Sequence, residues 1–318
     1  MNKMWNFRKE GLLGNNVFCN LYKCCKRNNK KDLQSGVKTS TFEGMQRDLS
    51  LPLQHVHTLI THAGDWGIKK NICNITGADV HSYTIEDAAH GGAFLNLEIA
   101  SVLPNVKRWY MTNMKSFLHE KIYPLPLGVN HGDDWDSVDI EKIRSEPKPI
   151  ENLCYANFTM TSPYRIRAAE WCWSQVYIDC NFPKRYDTED VELSMPILKG
   201  ERLEFQDFIK TISSYRFAIS PTGNGLDTFR TWECILCNTV PIVMDTWMNR
   251  VFSQIWPMII VSKYEFENVR QKMTEFWNEH ENIEYDYSLL LEENFEELLN
   301  RIQYESNRLR RKGIQMAP

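Results

Sequence analysis

Long hydrophobic runs are missing from this sequence of 318 residues. The longest apolar runs, such as residues 240–244 and 256–261, have the length of a buried β-strand. A membrane-spanning helix needs about 20 mostly apolar residues, so the sequence predicts none. The N-terminal segment also lacks the apolar core of a signal peptide, so we expect a cytoplasmic protein.

A disulfide framework is also missing. The nine cysteines are odd in number and scattered along the chain, which is typical of reduced thiols in an intracellular protein. Cys234 and Cys237 have CxxC spacing, but they lie inside a predicted helix and no second pair follows at zinc-site spacing. We therefore interpret both as core thiols and expect no bound metal.

Positive charge is scarce outside the start of the chain. Residues 1–31 carry eight basic side chains and one acidic one, whereas the whole chain has 37 Lys and Arg against 41 Asp and Glu. The remainder is net acidic, which argues against a nucleic-acid partner. We interpret residues 1–40 as a solvated basic arm, and the alternative is peripheral contact with an anionic membrane surface.

Strand and helix patterns alternate through most of the chain. Apolar runs predict strands at 57–61, 107–112, 122–127, 152–158, 176–180, 216–220, 239–244 and 258–261. Helical spacing is found at 84–103, 163–174, 205–214 and 291–302. This alternation is typical of βαβ units, so the fold class is α/β with parallel sheets.

The length of the chain indicates more than one domain. We expect a Rossmann-like acceptor domain at 41–145 and a Rossmann-like nucleotide-sugar domain with terminal helices at 146–318. Residues 133–149 are charged and punctuated by proline, which is typical of a linker. Asp133 and Asp134 are interpreted as solvated charge of that linker rather than as metal ligands.

The most informative segment lies between a predicted strand and a predicted helix. It reads Ser-Pro-Thr-Gly-Asn-Gly-Leu-Asp-Thr over residues 220–228, which we call the glycine loop. Gly223 and Gly225 let the backbone approach an anion closely, and Asp227 or Thr228 can cap the following helix. Exposed N–H groups and the helix dipole then predict a phosphate site. The loop matches neither the Walker pattern nor the dinucleotide fingerprint.

The helix after the glycine loop carries a charged pair. Arg230 and Glu233 are three residues apart and share a face, whereas the apolar Trp232 and Ile235 project elsewhere. An Arg placed there can neutralise a diphosphate, and the carboxylate can accept hydrogen bonds from both ribose hydroxyls. The pair therefore predicts a nucleoside-diphosphate site, and the alternative is an ordinary Arg–Glu surface pair.

With these residues the chain resembles the exostosin-type family of GT-B glycosyltransferases, in particular its compact viral and bacterial members. The resemblance is strongest over residues 220–243, close to the pattern SPxGNGxDxxRxWE…PIV, and extends to 61–65, 106–113, 124–128 and 155–165. It implies two Rossmann-like domains with parallel sheets facing across a cleft, and catalysis without a bound metal. We expect the nucleotide sugar to contact Arg165, Ser220, Thr222, Gly223, Asn224, Gly225, Asp227, Arg230 and Glu233.

Two residues of the N-terminal half are candidates for the catalytic base. Inverting glycosyl transfer needs a carboxylate or a His to take the proton of the acceptor hydroxyl. Asp65 and His62 lie on the turn after a predicted strand, and such turns face the cleft of α/β proteins. We prefer Asp65 as the base and keep His62 as the alternative. The structural alternative is that Asp65 only accepts hydrogen bonds from its own turn.

The sequence thus predicts an inverting, metal-independent glycosyltransferase without a cofactor. Its donor is a UDP-sugar and its acceptor a glycan. The family resemblance selects UDP and favours xylose over galactose and glucuronic acid. The alternatives are a non-catalytic scaffold that keeps the nucleotide-sugar fold and a transferase that uses GDP-fucose.

Overall fold

The computed structural model describes residues 37–41, 58–62, 107–114, 120–129, 138–149, 153–160, 163–183, 200, 202–223, 225–262, 268–280, 286–291 and 294–314. For residues 37–41 and 58–62 it describes the backbone alone. The predicted helix at 84–103 and most of the predicted basic arm lie outside these ranges.

Four parallel strands form the first sheet. They are β1 (Val37–Thr41), β2 (Thr58–His62), β3 (Arg108–Met111) and β4 (Ile122–Pro124), in that order across the sheet. The strands predicted at 57–61, 107–112 and 122–127 are confirmed. β1 was not predicted and overlaps the end of the predicted arm, because a strand with one apolar residue has no hydrophobic pattern.

Five parallel strands form the second sheet, again as predicted. They are β5 (Cys154–Ala156), β6 (Ile178–Cys180), β7 (Phe217–Ile219), β8 (Val240–Met244) and β9 (Ile259–Val261), arranged in the order β6-β5-β7-β8-β9. The chain first moves outward from β5 to β6 and then returns to the other side of β5 for β7. This reversal is a topological switch point, where open α/β sheets bind ligands beyond the carboxyl ends of the strands.

Seven α-helices are described. They are α1 (Ile140–Ser145), α2 (Pro163–Trp173), α3 (Phe205–Ser213), α4 (Phe229–Leu236), α5 (Trp247–Phe252), α6 (Val269–His280) and α7 (Phe295–Arg311), with a 3₁₀ turn at Ser288–Leu290. The helices predicted at 163–174 and 205–214 are confirmed. The helix predicted at 291–302 begins later and is longer, and Gly313 follows its end with a φ of 70°.

Apolar side chains cover both faces of the second sheet. Cys154, Phe217 and Val240 belong to one buried cluster, whereas Tyr155 and Ala218, the next residues in β5 and β7, belong to the other. Successive strand residues point to opposite faces, so each face packs against its own layer of helices. The sheet is therefore covered on both sides, as the alternating strand and helix pattern predicts.

The last helix packs against the first sheet. The hydroxyl of Tyr110 in β3 donates to the carbonyl of Leu299 in α7 at 3.0 Å, and Arg310 Nη2 donates to the carbonyl of Ile122 in β4 at 2.6 Å. Buried residues of β3 and β4 also share one apolar cluster with α4 and α5. The chain therefore returns to the first sheet after completing the second. The predicted boundary at 145/146 assigns α7 to the second domain, so the sequence did not predict its contact with the first sheet.

The predicted linker at 133–149 contains an ordered helix, which corrects that prediction. Asp139 caps α1 by accepting a hydrogen bond from the Lys142 N–H at 3.1 Å. Arg144 donates to the carbonyl of Ile235 at 2.9 Å, and Lys148 Nζ donates to the carbonyl of Ser213. These contacts hold the ends of α3 and α4, and burial lowers the pKa of Lys148 to about 8.

The described cysteines are free thiols. Cys234 lies in α4 and Cys237 is its C-cap residue; both are buried in the apolar core, and burial raises the pKa of Cys237 to about 12. Their interpretation as core thiols therefore agrees with their surroundings. Within the described ranges, no helix has both the length and the apolar character needed to cross a membrane.

Candidate functional site

The glycine loop lies at the switch point of the second sheet. It follows β7, and residues 157–160 follow the neighbouring strand β5. Both segments therefore leave the same edge of the sheet, where Arg165 and Arg230 also converge. The glycine loop is buried at Ser220, Thr222 and Asp227, and Asn224 lies outside the described residues.

Arg165 spans the switch point from the β5 side. It lies on α2, and its Nε donates to the carbonyl of Thr222 at 3.2 Å while its Nη1 donates to the carbonyl of Thr159 at 3.1 Å. A Cβ added to Gly223 would lie 2.7 Å from Arg165 Nη2. Gly223 thus leaves room for the guanidinium to lie against the loop, whereas the sequence predicts the close approach of an anion there.

Arg230 spans the switch point from the β7 side. Its Nη1 donates to the carbonyl of Asn157, and its guanidinium lies 4.1 Å from the ring centre of Phe208. Its Nε lies 3.1 Å from Glu233 Oε2, so the two residues share a face of α4, as their spacing predicts, and form an ion pair with each other. Only 9% of the Glu233 side chain is exposed, which distinguishes the pair from an ordinary surface ion pair.

Polar side chains also meet beside Asn157. Tyr155 stacks on Tyr215 with ring centres 4.9 Å apart, and the Tyr155 hydroxyl accepts from Asn157 Nδ2 at 3.2 Å and Asn181 Nδ2 at 3.4 Å. The ring of Tyr155 is buried. Asn157 is thus held from two sides, by Tyr155 through its amide and by Arg230 through its carbonyl.

Several N–H groups of the glycine loop are used inside the protein, contrary to the prediction that they are exposed. The N–H of Gly223 donates to the carbonyl of Gly225 at 2.9 Å, and that of Thr228 donates to Asp227 Oδ1 at 2.8 Å. Thr228 is the N-cap residue of α4 but makes no side-chain capping bond. Its hydroxyl lies 2.9 Å from the hydroxyl of Ser220 instead.

Asp227 is buried and connects the glycine loop to the first sheet. Its Oδ2 accepts from the Leu127 N–H at 2.7 Å, and both carboxylate oxygens lie 3.0 Å from Trp232 Nε1. Its own N–H donates to Asn113 Oδ1 at 2.9 Å. Burial raises the pKa of Asp227 to about 7, although these hydrogen bonds act in the opposite direction.

Asn113 and Leu127 are contact residues that the sequence did not identify. Both follow strands of the first sheet, β3 and β4 respectively. Asn113 adopts a φ of 59°, a left-handed conformation that Asn tolerates better than most residues. An Asn directly after a predicted strand is a common turn residue, so the sequence alone has no signal for its contact with the glycine loop.

One of the two candidate base residues, His62, lies at the end of a strand of the first sheet. His62 ends β2, whose Thr61 is paired with Met111 of β3, so His62 lies one strand away from the segment that contains Asn113. Asp65 lies outside the described residues, as does the side chain of His62. Their assignment as catalytic bases therefore stays a prediction. Among the described residues, no group of three or more His, Cys, Asp or Glu could hold a metal ion.

Comparisons with known proteins find only distant likeness. No family model and no curated protein matches the chain. A solved structure described as "Trehalose-6-phosphate from E. coli bound with UDP-2-fluoro glucose" is 10% identical, with a TM-score of 0.32, and the match covers 87% of this chain and 72% of that one. Another, described as "OtsA apo structure", is 12% identical, with a TM-score of 0.30 and coverage of 91% and 78%. Both identities and both TM-scores are too low to show a shared function.

Proposed function

We propose that this chain is a glycosyltransferase that binds a nucleotide sugar at the switch point between β5 and β7. The proposal depends on one observation above all: Arg165 and Arg230 reach this point from opposite sides. Arg165 on α2 donates to the carbonyl of Thr222, which follows β7. Arg230 on α4 donates to the carbonyl of Asn157, which follows β5. Two guanidinium groups at one strand edge are suited to a diphosphate, because each can donate paired hydrogen bonds to phosphate oxygens.

Glu233 supplies the second half of the donor site in this proposal. Its Oε2 is held by Arg230 at 3.1 Å, which fixes the direction of the carboxylate. The remaining oxygen, Oε1, accepts hydrogen bonds from the ribose hydroxyls. Many α/β nucleotide-binding proteins hold the ribose hydroxyls with a carboxylate near the site of the diphosphate. The same guanidinium then contacts both the phosphate side and the ribose-binding carboxylate.

The chemistry proposed for this site is sugar transfer with inversion and without a metal. As the sugar–phosphate bond breaks, negative charge develops on the departing diphosphate, and Arg165 and Arg230 stabilise it. Asp65, or His62 in its place, takes the proton of the acceptor hydroxyl. The family resemblance supports UDP as the nucleotide and favours xylose as the sugar.

Nucleotide binding tests the proposal most directly. UDP, GDP and uridine are compared by thermal shift and calorimetry, followed by a panel of UDP-sugars in a transfer assay. We expect UDP to raise the melting temperature more than uridine does, because the arginines contact the diphosphate. Absence of any nucleotide effect would overturn the proposal. UDP binding without turnover of any UDP-sugar would favour the scaffold, and preference for GDP would favour a GDP-fucose transferase.

A further inference from the structure

The glycine loop is joined to the first sheet by two hydrogen bonds in opposite directions. Asp227 accepts from the Leu127 N–H at 2.7 Å, and the Asp227 N–H donates to Asn113 Oδ1 at 2.9 Å. Both partners lie about one hundred residues earlier in the chain, at the carboxyl ends of β4 and β3. Asn113, Leu127 and Asp227 are all buried, so water does not compete effectively for these bonds.

Gly225 brings the two parts into close contact. A Cβ added at Gly225 would lie 2.7 Å from Asn113 Oδ1 and 3.0 Å from its Nδ2. A larger residue would therefore push the loop away from Asn113. The glycine loop thus has one glycine, Gly223, against Arg165 and one, Gly225, against the first sheet.

We propose that Asn113 and Asp227 are positioning residues that hold the glycine loop in the shape that receives the donor. The loop carries the Thr222 carbonyl that orients Arg165, so a displaced loop also displaces the guanidinium. Neither side chain touches the nucleotide in this proposal, which replaces the expectation that Asp227 contacts the donor, because the Asp227 oxygens are buried and hydrogen-bonded inside the protein. It rests on the proposed function for the identity of the ligand, but the positioning itself is measurable without a ligand.

Hydrogen–deuterium exchange of residues 220–228 measures the positioning in the nucleotide-free protein. The variants are Asn113→Ala and Asp227→Ala, singly and together. Asn249→Ala is the matched control, because Asn249 is also buried and its amide donates to the carbonyl of Met244 at 2.8 Å, a contact outside the first sheet. We expect Asn113→Ala and Asp227→Ala each to speed exchange of the loop at least tenfold, because each removes an acceptor of the link, while Asn249→Ala leaves it unchanged.

The affinity for UDP is measured on the same proteins. We expect Asn113→Ala to weaken UDP binding about tenfold, and the double variant to lose less than the product of the two single losses, since both act on one link. Wild-type exchange of the loop in Asn113→Ala would overturn the proposal, whatever happens to stability. So would loosening of the loop without any loss of UDP affinity. If the variants loosen the loop and the wild type binds no nucleotide, the positioning stands and the proposed function fails.

Discussion

Arg165 and Thr222 are joined by a 3.2 Å hydrogen bond from the guanidinium Nε to the main-chain carbonyl, across the switch point of the second sheet. Together with the bond from Nη1 to the Thr159 carbonyl, this bond orients the charged side chain of Arg165. It also makes the position of the charge depend on the shape of the glycine loop. The affinity for a nucleotide should therefore respond to changes in either partner.

Arg165→Ala should weaken UDP binding about tenfold to a hundredfold, the range expected when a charged hydrogen bond of about 1.5–3 kcal/mol is lost. Binding of uridine, which lacks the diphosphate, should change little. Calorimetry with both ligands measures the difference. Arg167→Ala is the matched control, because Arg167 lies on the same helix and is exposed. Equal losses for UDP and uridine would contradict a phosphate contact.

Glu233→Gln should weaken binding of UDP by about 1–3 kcal/mol, because the amide loses a charged acceptor for the ribose hydroxyls. Loss of the pair with Arg230 should also lower the melting temperature, since the carboxylate is buried. Glu305→Gln separates the two effects. Glu305 is a buried carboxylate in α7 whose Oε2 lies 2.8 Å from Nε of Arg308, three residues on. The Glu305→Gln variant should have a lower melting temperature but the same affinity for UDP as the wild type.

Asp65→Asn should lower the rate of sugar transfer about 10²–10⁴-fold while the affinity for the donor stays close to that of the wild type. The amide keeps the shape of the side chain, so folding should be nearly unaffected. Transfer rate and donor affinity are measured together with those of His62→Ala. Loss of turnover in the His62 variant alone would assign the base to His62. Loss of donor affinity in both would place this turn in the donor site.

Sugar transfer should continue in excess EDTA, because the proposed charge stabilisation comes from Arg165 and Arg230. The affinity for UDP should likewise be the same in EDTA and in magnesium or manganese. Turnover is measured after dialysis against the chelator and again after adding each metal. A complete loss in EDTA that manganese or magnesium restores would contradict metal-independent catalysis.

The pH dependence of stability should carry a contribution from Asp227. Its pKa rises from 3.8 in the unfolded chain to about 7 in the folded protein, so the folded state keeps the proton over this range. Stability from this group is therefore fully present below pH 3.8 and is lost as pH rises through about 7. The slope is at most about 1.4 kcal/mol per pH unit.

Asp227→Asn removes this titration and leaves the other groups in place. The free energy of unfolding is measured by urea denaturation. Between pH 4.5 and 7.5, that of the wild type should fall relative to that of the variant. A difference that stays constant over this interval would show that the Asp227 pKa is not raised.

The sequence determined the features that depend on neighbours along the chain. Apolar runs predicted most strands of both parallel sheets, since a strand buried on both faces reads as a short apolar run. The spacing of Arg230 and Glu233 predicted that both lie on one face of a helix, and there they form an ion pair. Strand β1 and helix α1 escaped prediction, as each has little apolar pattern of its own and depends on packing or pairing with distant segments.

The tertiary structure decided how the glycine loop is used. Its sequence predicts exposed N–H groups for an anion, yet Asn113 accepts the N–H of Asp227 from 114 residues away, and Arg165 donates to the carbonyl of Thr222 from 57 residues away and lies against Gly223. A glycine signals only that something approaches the backbone closely, not which group does so. A buried donor or acceptor must find a partner, and the partner is whichever polar group the packing of the two sheets brings within reach.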